Sequence, residues 1–169
     1  MKKIVLTAFI IASCYTMALS QEYKNRISPF FEIGLEESSS PLNPNISVRE
    51  KFYGLQYSRK LNAKHIIQGN IARSNFKNTT LGIDYQYNFP ILFDGLSTFF
   101  GAGLALEFVK DQNSVEKTYS LIRPKLGIDY NINNSFLGFF IAYKPKIELD
   151  SFEGYDMSII QAGINFYIK

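Results

Sequence analysis

The chain has 169 residues, a formal net charge of +3 and 15% aromatic residues without a single tryptophan. Two of its lysines stand at the extreme N-terminus, so the remainder is close to neutral and offers no electrostatic case for binding nucleic acid. The lone cysteine, Cys14, excludes an internal disulfide and a thiolate metal site.

The first twenty residues predict a secretory signal peptide. Two lysines precede an apolar run over residues 4–12, and small residues lead up to Ser20. We expect cleavage after Ser20, which leaves residues 21–169 as one domain. Lipoprotein processing at Cys14 is the alternative, but the segment stays apolar as far as Leu19, which favours ordinary cleavage. Either route predicts an exported protein.

Beyond the signal peptide, polar and apolar residues alternate over segments about ten residues long, as in strands with two different faces. In chain order, the predicted strands cover residues 26–36, 51–59, 65–74, 80–89, 98–108, 119–130, 136–148 and 157–168. Residues 38–45 are predicted to be a loop because they are rich in serine, proline and asparagine. No apolar run is long enough for a transmembrane helix. Short connections favour an antiparallel, up-and-down sheet.

A repeat of apolar, glycine, aliphatic, polar and aromatic residues marks the even strands. It occupies residues 53–57, 81–85, 126–130 and 162–166, and strands four and six share the letters L-G-I-D-Y. The odd strands begin with aromatic residues instead. In an up-and-down sheet these positions meet at one rim, where Tyr87 and Phe89 also lie, and an aromatic belt there suits a membrane interface.

The two faces of the predicted strands differ in kind. One carries residues such as Leu81, Ile83 and Tyr85, and the other combines glycines with charges. Glycines facing water would only weaken strands, whereas inside a narrow barrel they make room for long side chains. The predicted lumen charges are Glu32, Asp84, Glu107, Arg123, Lys125, Asp129, Lys144, Lys146 and Glu148. Their mixed signs permit pairing, and Arg123 or Lys125 is the expected partner of Asp84.

We therefore predict an all-β fold, an eight-stranded antiparallel up-and-down transmembrane β-barrel with a filled polar lumen. Two residues count against it, because Pro124 and Pro145 fall inside predicted strands and cannot donate to a ladder. We expect bulges at these prolines, or strand ends closer to them.

The signal peptide, the strand count and the aromatic-rich last strand resemble the small eight-stranded outer-membrane β-barrel proteins of outer membrane protein A or X type. The resemblance implies the cell outer membrane, contact with its lipid and lipopolysaccharide, recognition by the barrel assembly machinery, a monomer and a non-enzymatic structural or loop-mediated role. The last strand ends in Lys169 where the family has an aromatic residue. Two alternatives stay open: a lipid-modifying barrel enzyme, and a secreted soluble barrel that binds a small apolar ligand.

Catalytic and metal sites are poorly supported by the sequence, and no cofactor is expected. His65 falls where a short turn enters strand three, at the rim opposite the one that a lipid-modifying enzyme would use, so a catalytic role is disfavoured. Paired lumen charges explain Asp84 and Asp129 better than catalytic carboxylates do. The last loop holds three acids with no recognised calcium spacing, namely Asp150, Glu153 and Asp156.

A group of basic residues near the outer rim, opposite the rim of His65, is a candidate site for lipid phosphate. It consists of Arg49, Lys51, Arg73 and Lys77, which should gather around predicted strands two and three. Ordinary solvated rim charges are the alternative interpretation.

Overall fold

The computed structural model describes residues 24–40, 43–91, 94–110, 116–133, 135–149 and 158–168. It contains the strands β1 (Asn25–Ser40), β2 (Asn43–Lys60), β3 (His65–Ser74), β4 (Thr79–Pro90), β5 (Leu96–Lys110), β6 (Glu116–Asn131), β7 (Leu137–Tyr143), β8 (Ile147–Glu148) and β9 (Ile159–Ile168). The predicted signal peptide with Cys14, and the three acids of the last loop, lie outside the described residues.

The strands close into a barrel. Each strand pairs antiparallel with its neighbours, and β1 completes the circle by pairing with β9. The short strands β7 and β8 lie in line along β6 and fill one position in the wall. The predicted eight-stranded up-and-down barrel is therefore confirmed. We call the end where β1 begins and β9 ends the terminal rim, and the opposite end the loop rim.

The prediction of a loop at residues 38–45 was wrong for residues 38–40 and 43–45, which the structure describes as strand. β1 runs on to Ser40 and β2 already begins at Asn43, with Ser38 opposite Val48. The register between the two strands shifts between Ile33 and Glu37. Polar composition is a poor guide here because the hydrogen bonds of a strand ladder join backbone groups, whatever the side chains are. A hairpin can therefore extend beyond the apolar part of the wall.

The expected bulges at the two prolines are absent. Leu126 pairs with Tyr143 and Ile122 with Ile147, so the register is the same on both sides of the prolines, and Pro124 faces Pro145. The alternative of a nearby strand end holds for Pro145, since β7 stops at Tyr143. Both residues lack an N–H group, and because they lie opposite each other the missing donors interrupt the hydrogen-bond ladder along β6 at one place.

The wall has an apolar exterior and a largely polar interior. Ile83 and Leu104 are 67% and 62% exposed, whereas Asp84 is completely buried. Five basic and six acidic side chains are buried among the described residues. This arrangement is the reverse of a soluble barrel, in which apolar side chains fill the centre, and it is typical of barrels whose outer face meets lipid. No helix within the described ranges is long and apolar enough to span a membrane.

The interior also holds an apolar cluster that the sequence reading did not single out. Its members, from five different strands, are Phe30, Phe52, Ala72, Phe140 and Ile159. Each lies at an inward position of its strand, so the alternation identifies the face of these residues although their apolar character does not. The lumen is filled by this cluster as well as by charges, as expected for an eight-stranded barrel.

Candidate functional site

Asp84 is the centre of a charge network in the middle of the lumen. Its carboxylate accepts hydrogen bonds from Arg123 Nη2, Lys144 Nζ and Asn70 Nδ2, each at 2.9 Å. Lys125 Nζ is 3.9 Å from the same carboxylate. One buried acid thus faces three cations, and Glu32, 3.9 Å from Lys144 Nζ, brings a second carboxylate to the group.

Amides continue this network towards the terminal rim. Lys125 contacts the side-chain oxygen of Gln68 and donates to Gln86 Oε1 at 3.2 Å. Closer to the rim, Arg26 forms an ion pair with Asp129, which also accepts a hydrogen bond from Asn165 Nδ2 at 3.0 Å. Charged groups in a confined space need such partners, since a buried charge without one is costly.

A separate ion pair lies nearer the loop rim. Lys146 Nζ donates to Glu107 Oε2 at 2.8 Å and is also 3.5 Å from the centre of the Phe52 ring. The aromatic face and the carboxylate together replace the water that the ammonium group loses. The lumen is therefore filled at several levels along its axis.

The structure places all nine predicted lumen charges in the interior. It adds buried polar residues that the sequence analysis did not propose as site residues: Arg26, Glu50, Gln68, Asn70 and Gln86. Arg26 shares the inward face of β1 with Phe30 and Glu32, so the alternation was the signal that could have identified it.

Glycines of the inward face make room for this network. A Cβ atom at Gly82 would lie 1.8 Å from Arg123 Nη2, and one at Gly103 would lie 1.8 Å from Asp84 Oδ1. Neither residue can carry a side chain without displacing the central ion pairs. In the repeated motif, Gly82 is the glycine packed against a charge, whereas Gly54, Gly127 and Gly163 are packed against aromatic rings and backbone oxygens.

His65 belongs to an aromatic group on the outside of the terminal rim. Its Nδ1 contacts the hydroxyl oxygen of Tyr85, and its ring lies edge-on to Tyr87 with centroids 4.9 Å apart. Tyr87 in turn packs against Phe89 and Phe100. Such a group suits the interface between lipid and water better than catalysis. Within the described ranges, no cluster of three or more histidine, cysteine or acidic residues could hold a metal ion.

The four basic residues proposed for lipid phosphate are all exposed at the loop rim. Arg73 pairs with Tyr53 and Thr79 in the sheet, and Lys77 lies in the β3–β4 turn with a φ of 69°. Two hydrogen bonds tie this turn to β2: Asn75 N donates to Lys51 O at 2.9 Å, and Lys51 N donates to Asn75 Oδ1 at 3.0 Å. We call these four residues the basic rim patch.

An apolar depression of about 890 Å³ lies on the outer wall. Residues from β3 to β6 and Leu149 line it, and they include the exposed side chains of Ile67, Leu81, Ile83 and Leu104. Gly69 forms part of its floor, and a Cβ atom there would meet no atom within 4 Å. We call this depression the wall groove.

The chain matches no protein-family model and no curated protein. Its fold, however, resembles solved structures. The N-terminal β-barrel domain of Pseudomonas aeruginosa OprF matches with a TM-score of 0.68 and 14% identity, over 86% of this chain and 98% of that domain. Neisserial surface protein A matches with a TM-score of 0.63 and 14% identity, over 85% of this chain and 97% of the other.

A third likeness is to the Yersinia pestis outer membrane protein Ail, determined in a phospholipid bilayer nanodisc. The TM-score is 0.52 and the identity 15%, over 86% of this chain and all of Ail. These identities carry information about fold and none about specific activity. The closed barrel, its apolar exterior and these likenesses lead to one conclusion: the chain has the fold of the small eight-stranded outer-membrane β-barrels.

Proposed function

We propose that the protein is a non-enzymatic barrel of the cell outer membrane, which supports the envelope or presents its loop-rim connections to a partner. The observation that carries this proposal is the inverted wall, with Leu104 exposed at 62% and Arg123 buried at 2% exposure. An exterior of this kind would aggregate in water and is stabilised in lipid. The terminal rim, with its aromatic group, would face the periplasm.

The other two functions weighed from the sequence find less support. A soluble carrier of a small apolar ligand needs an apolar interior, and here the centre of the lumen is the Asp84 network. A lipid-modifying enzyme needs a nucleophile beside a base, and His65 is engaged with Tyr85 on the outer face.

The enzyme alternative is tested by incubating the refolded protein with phospholipid. We expect no release of fatty acid.

Location is tested by cell fractionation combined with gel migration before and after boiling. We expect the protein in the outer-membrane fraction, and we expect the unboiled barrel to migrate differently from the boiled chain, because a closed barrel resists detergent until heated. Recovery in the soluble periplasmic fraction, with identical migration of both samples, would contradict the membrane proposal.

The filled lumen predicts that the barrel does not act as an open pore. Ion pairs at Arg26, Asp84 and Glu107 occupy successive levels of the interior. An eight-stranded barrel leaves little space beyond its own side chains. In planar bilayers the refolded protein is therefore expected to give no steady conductance steps, and regular steps of uniform size would refute this prediction.

A further inference from the structure

We propose that the outer wall carries a specific site for one anionic membrane lipid, with its phosphate at the basic rim patch and its acyl chains in the wall groove. The inference rests on the proposed function, because it needs the outer wall to lie in a bilayer. It is more than general contact with lipid, since it names a sector of the wall and a headgroup charge.

One side of the groove, along β3, is opened by a missing side chain. Gly69 faces outward between Tyr57 on β2 and Ile83 on β4, its partners in the two ladders. Both neighbours project from the wall, with exposures of 48% and 67%. A glycine between two large residues leaves a trough, and the apolar lining makes hydrocarbon the ligand that the trough favours.

The groove and the basic rim patch share the outward face of β3. Ile71 lies outward, two residues from Gly69 and paired with Leu81, which lines the groove. Arg73 follows two residues later on the same outward face, at the loop rim. A lipid with its chains along β3 would therefore bring its headgroup to Arg73. Charge complementarity then selects a headgroup with a net negative phosphate.

The fold fixes the backbone of the residues that carry these cations. The two hydrogen bonds between Asn75 and Lys51 join the β3–β4 turn to β2. Ser74 Oγ accepts hydrogen bonds from Phe76 N at 3.1 Å and Asn78 N at 3.2 Å, which shapes the same turn. Lys77 and Lys51 therefore lie on the β3–β4 turn and on the part of β2 bonded to it, next to Arg73. A positioned group of cations loses less entropy on binding a phosphate than separate flexible charges would.

Native mass spectrometry of the barrel in nanodiscs tests the site. The discs contain phosphatidylcholine with a minor share of phosphatidylglycerol, and the lipids that remain bound on release are counted. We expect the wild type to retain phosphatidylglycerol in preference to phosphatidylcholine. The variant Arg73→Glu/Lys77→Glu should lose this preference, by about five-fold for each favourable charge removed. Lys117→Glu, an exposed charge reversal at the same rim on β6, should keep it.

A second variant tests the groove independently of charge. Gly69→Leu fills the floor and should reduce retention of phosphatidylglycerol, whereas Ala162→Leu, on the outward face of β9, should not. Excess inorganic phosphate should fail to displace the lipid, and displacement would show a headgroup site without bound chains and so overturn the proposal.

Two results contradict the site while leaving the membrane barrel intact. Either the wild type retains both lipids equally, or Arg73→Glu/Lys77→Glu retains phosphatidylglycerol as the wild type does, although in each case the barrel inserts and its migration shifts on boiling. A chain that never enters the bilayer would instead contradict the proposed function.

Discussion

Asp84→Asn is expected to destabilise the folded barrel by about 3–5 kcal/mol, the usual cost of removing one partner from a buried charge pair. The substitution keeps the shape of the side chain and removes one negative charge. Arg123, Lys125 and Lys144 would then lie close together in the lumen, and Glu32 near Lys144 would be the remaining carboxylate of the group. Urea unfolding of the barrel refolded in lipid vesicles measures the difference.

Asp94→Asn is the matched control, because it makes the same chemical change in an exposed turn between β4 and β5. It should change the free energy of unfolding by no more than about 0.5 kcal/mol, as most surface substitutions do. If Asp84→Asn unfolds at the same urea concentration as this control, the Asp84 network does not stabilise the barrel in the way its geometry implies.

A double variant separates charge imbalance from lost hydrogen bonds. Lys144→Met alone removes one of the three cations from Asp84, and Asp84→Asn/Lys144→Met removes an acid and a base together. We expect the double variant to be about 0.5–3 kcal/mol more stable than the sum of the single effects, as is usual for coupled neighbours. Additive effects would mean that the two charges do not interact, against their 2.9 Å contact.

The sequence predicted the class of the fold and the inward face of each strand, because both follow from alternation along a single strand. It could not predict which charges meet inside. Asp84 and Lys144 are 60 residues apart, and their contact across the lumen depends on strand tilt and stagger. These quantities belong to the closed barrel as a whole. Arg123 was among the expected partners of Asp84, whereas Lys144 was not.

The two parts of the exterior site differ in the same way. The basic rim patch could be proposed from sequence, because Arg73 and Lys77 lie at and just beyond the end of a strand. The wall groove could not, because it depends on which residues flank Gly69 in neighbouring strands. Hairpin register supplies Tyr57 and Ile83 as those neighbours. Register is set by turn geometry and pairing, and the predicted strand ends were too imprecise to give it.

Gly101→Val is expected to destabilise the barrel strongly, whereas Gly69→Val should be tolerated. A Cβ atom at Gly101 would lie 2.1 Å from the backbone oxygen of Tyr85 and 2.9 Å from Lys125 Cε. Backbone cannot rotate away as a flexible side chain does, so the wall itself must shift. We expect a loss towards the upper end of the ~1–3 kcal/mol typical of overpacking.

Gly69 provides the matched comparison on the outer face of the same barrel. A side chain there enters open space, and valine suits a strand better than glycine. The free energy of unfolding of Gly69→Val should therefore lie within about 1 kcal/mol of the wild-type value. Urea unfolding and the gel shift on boiling measure both variants. Equal destabilisation would show that glycine matters at both positions for backbone reasons. Loss at Gly101 alone would show that this inward glycine is needed because a side chain there meets the Tyr85 backbone and Lys125.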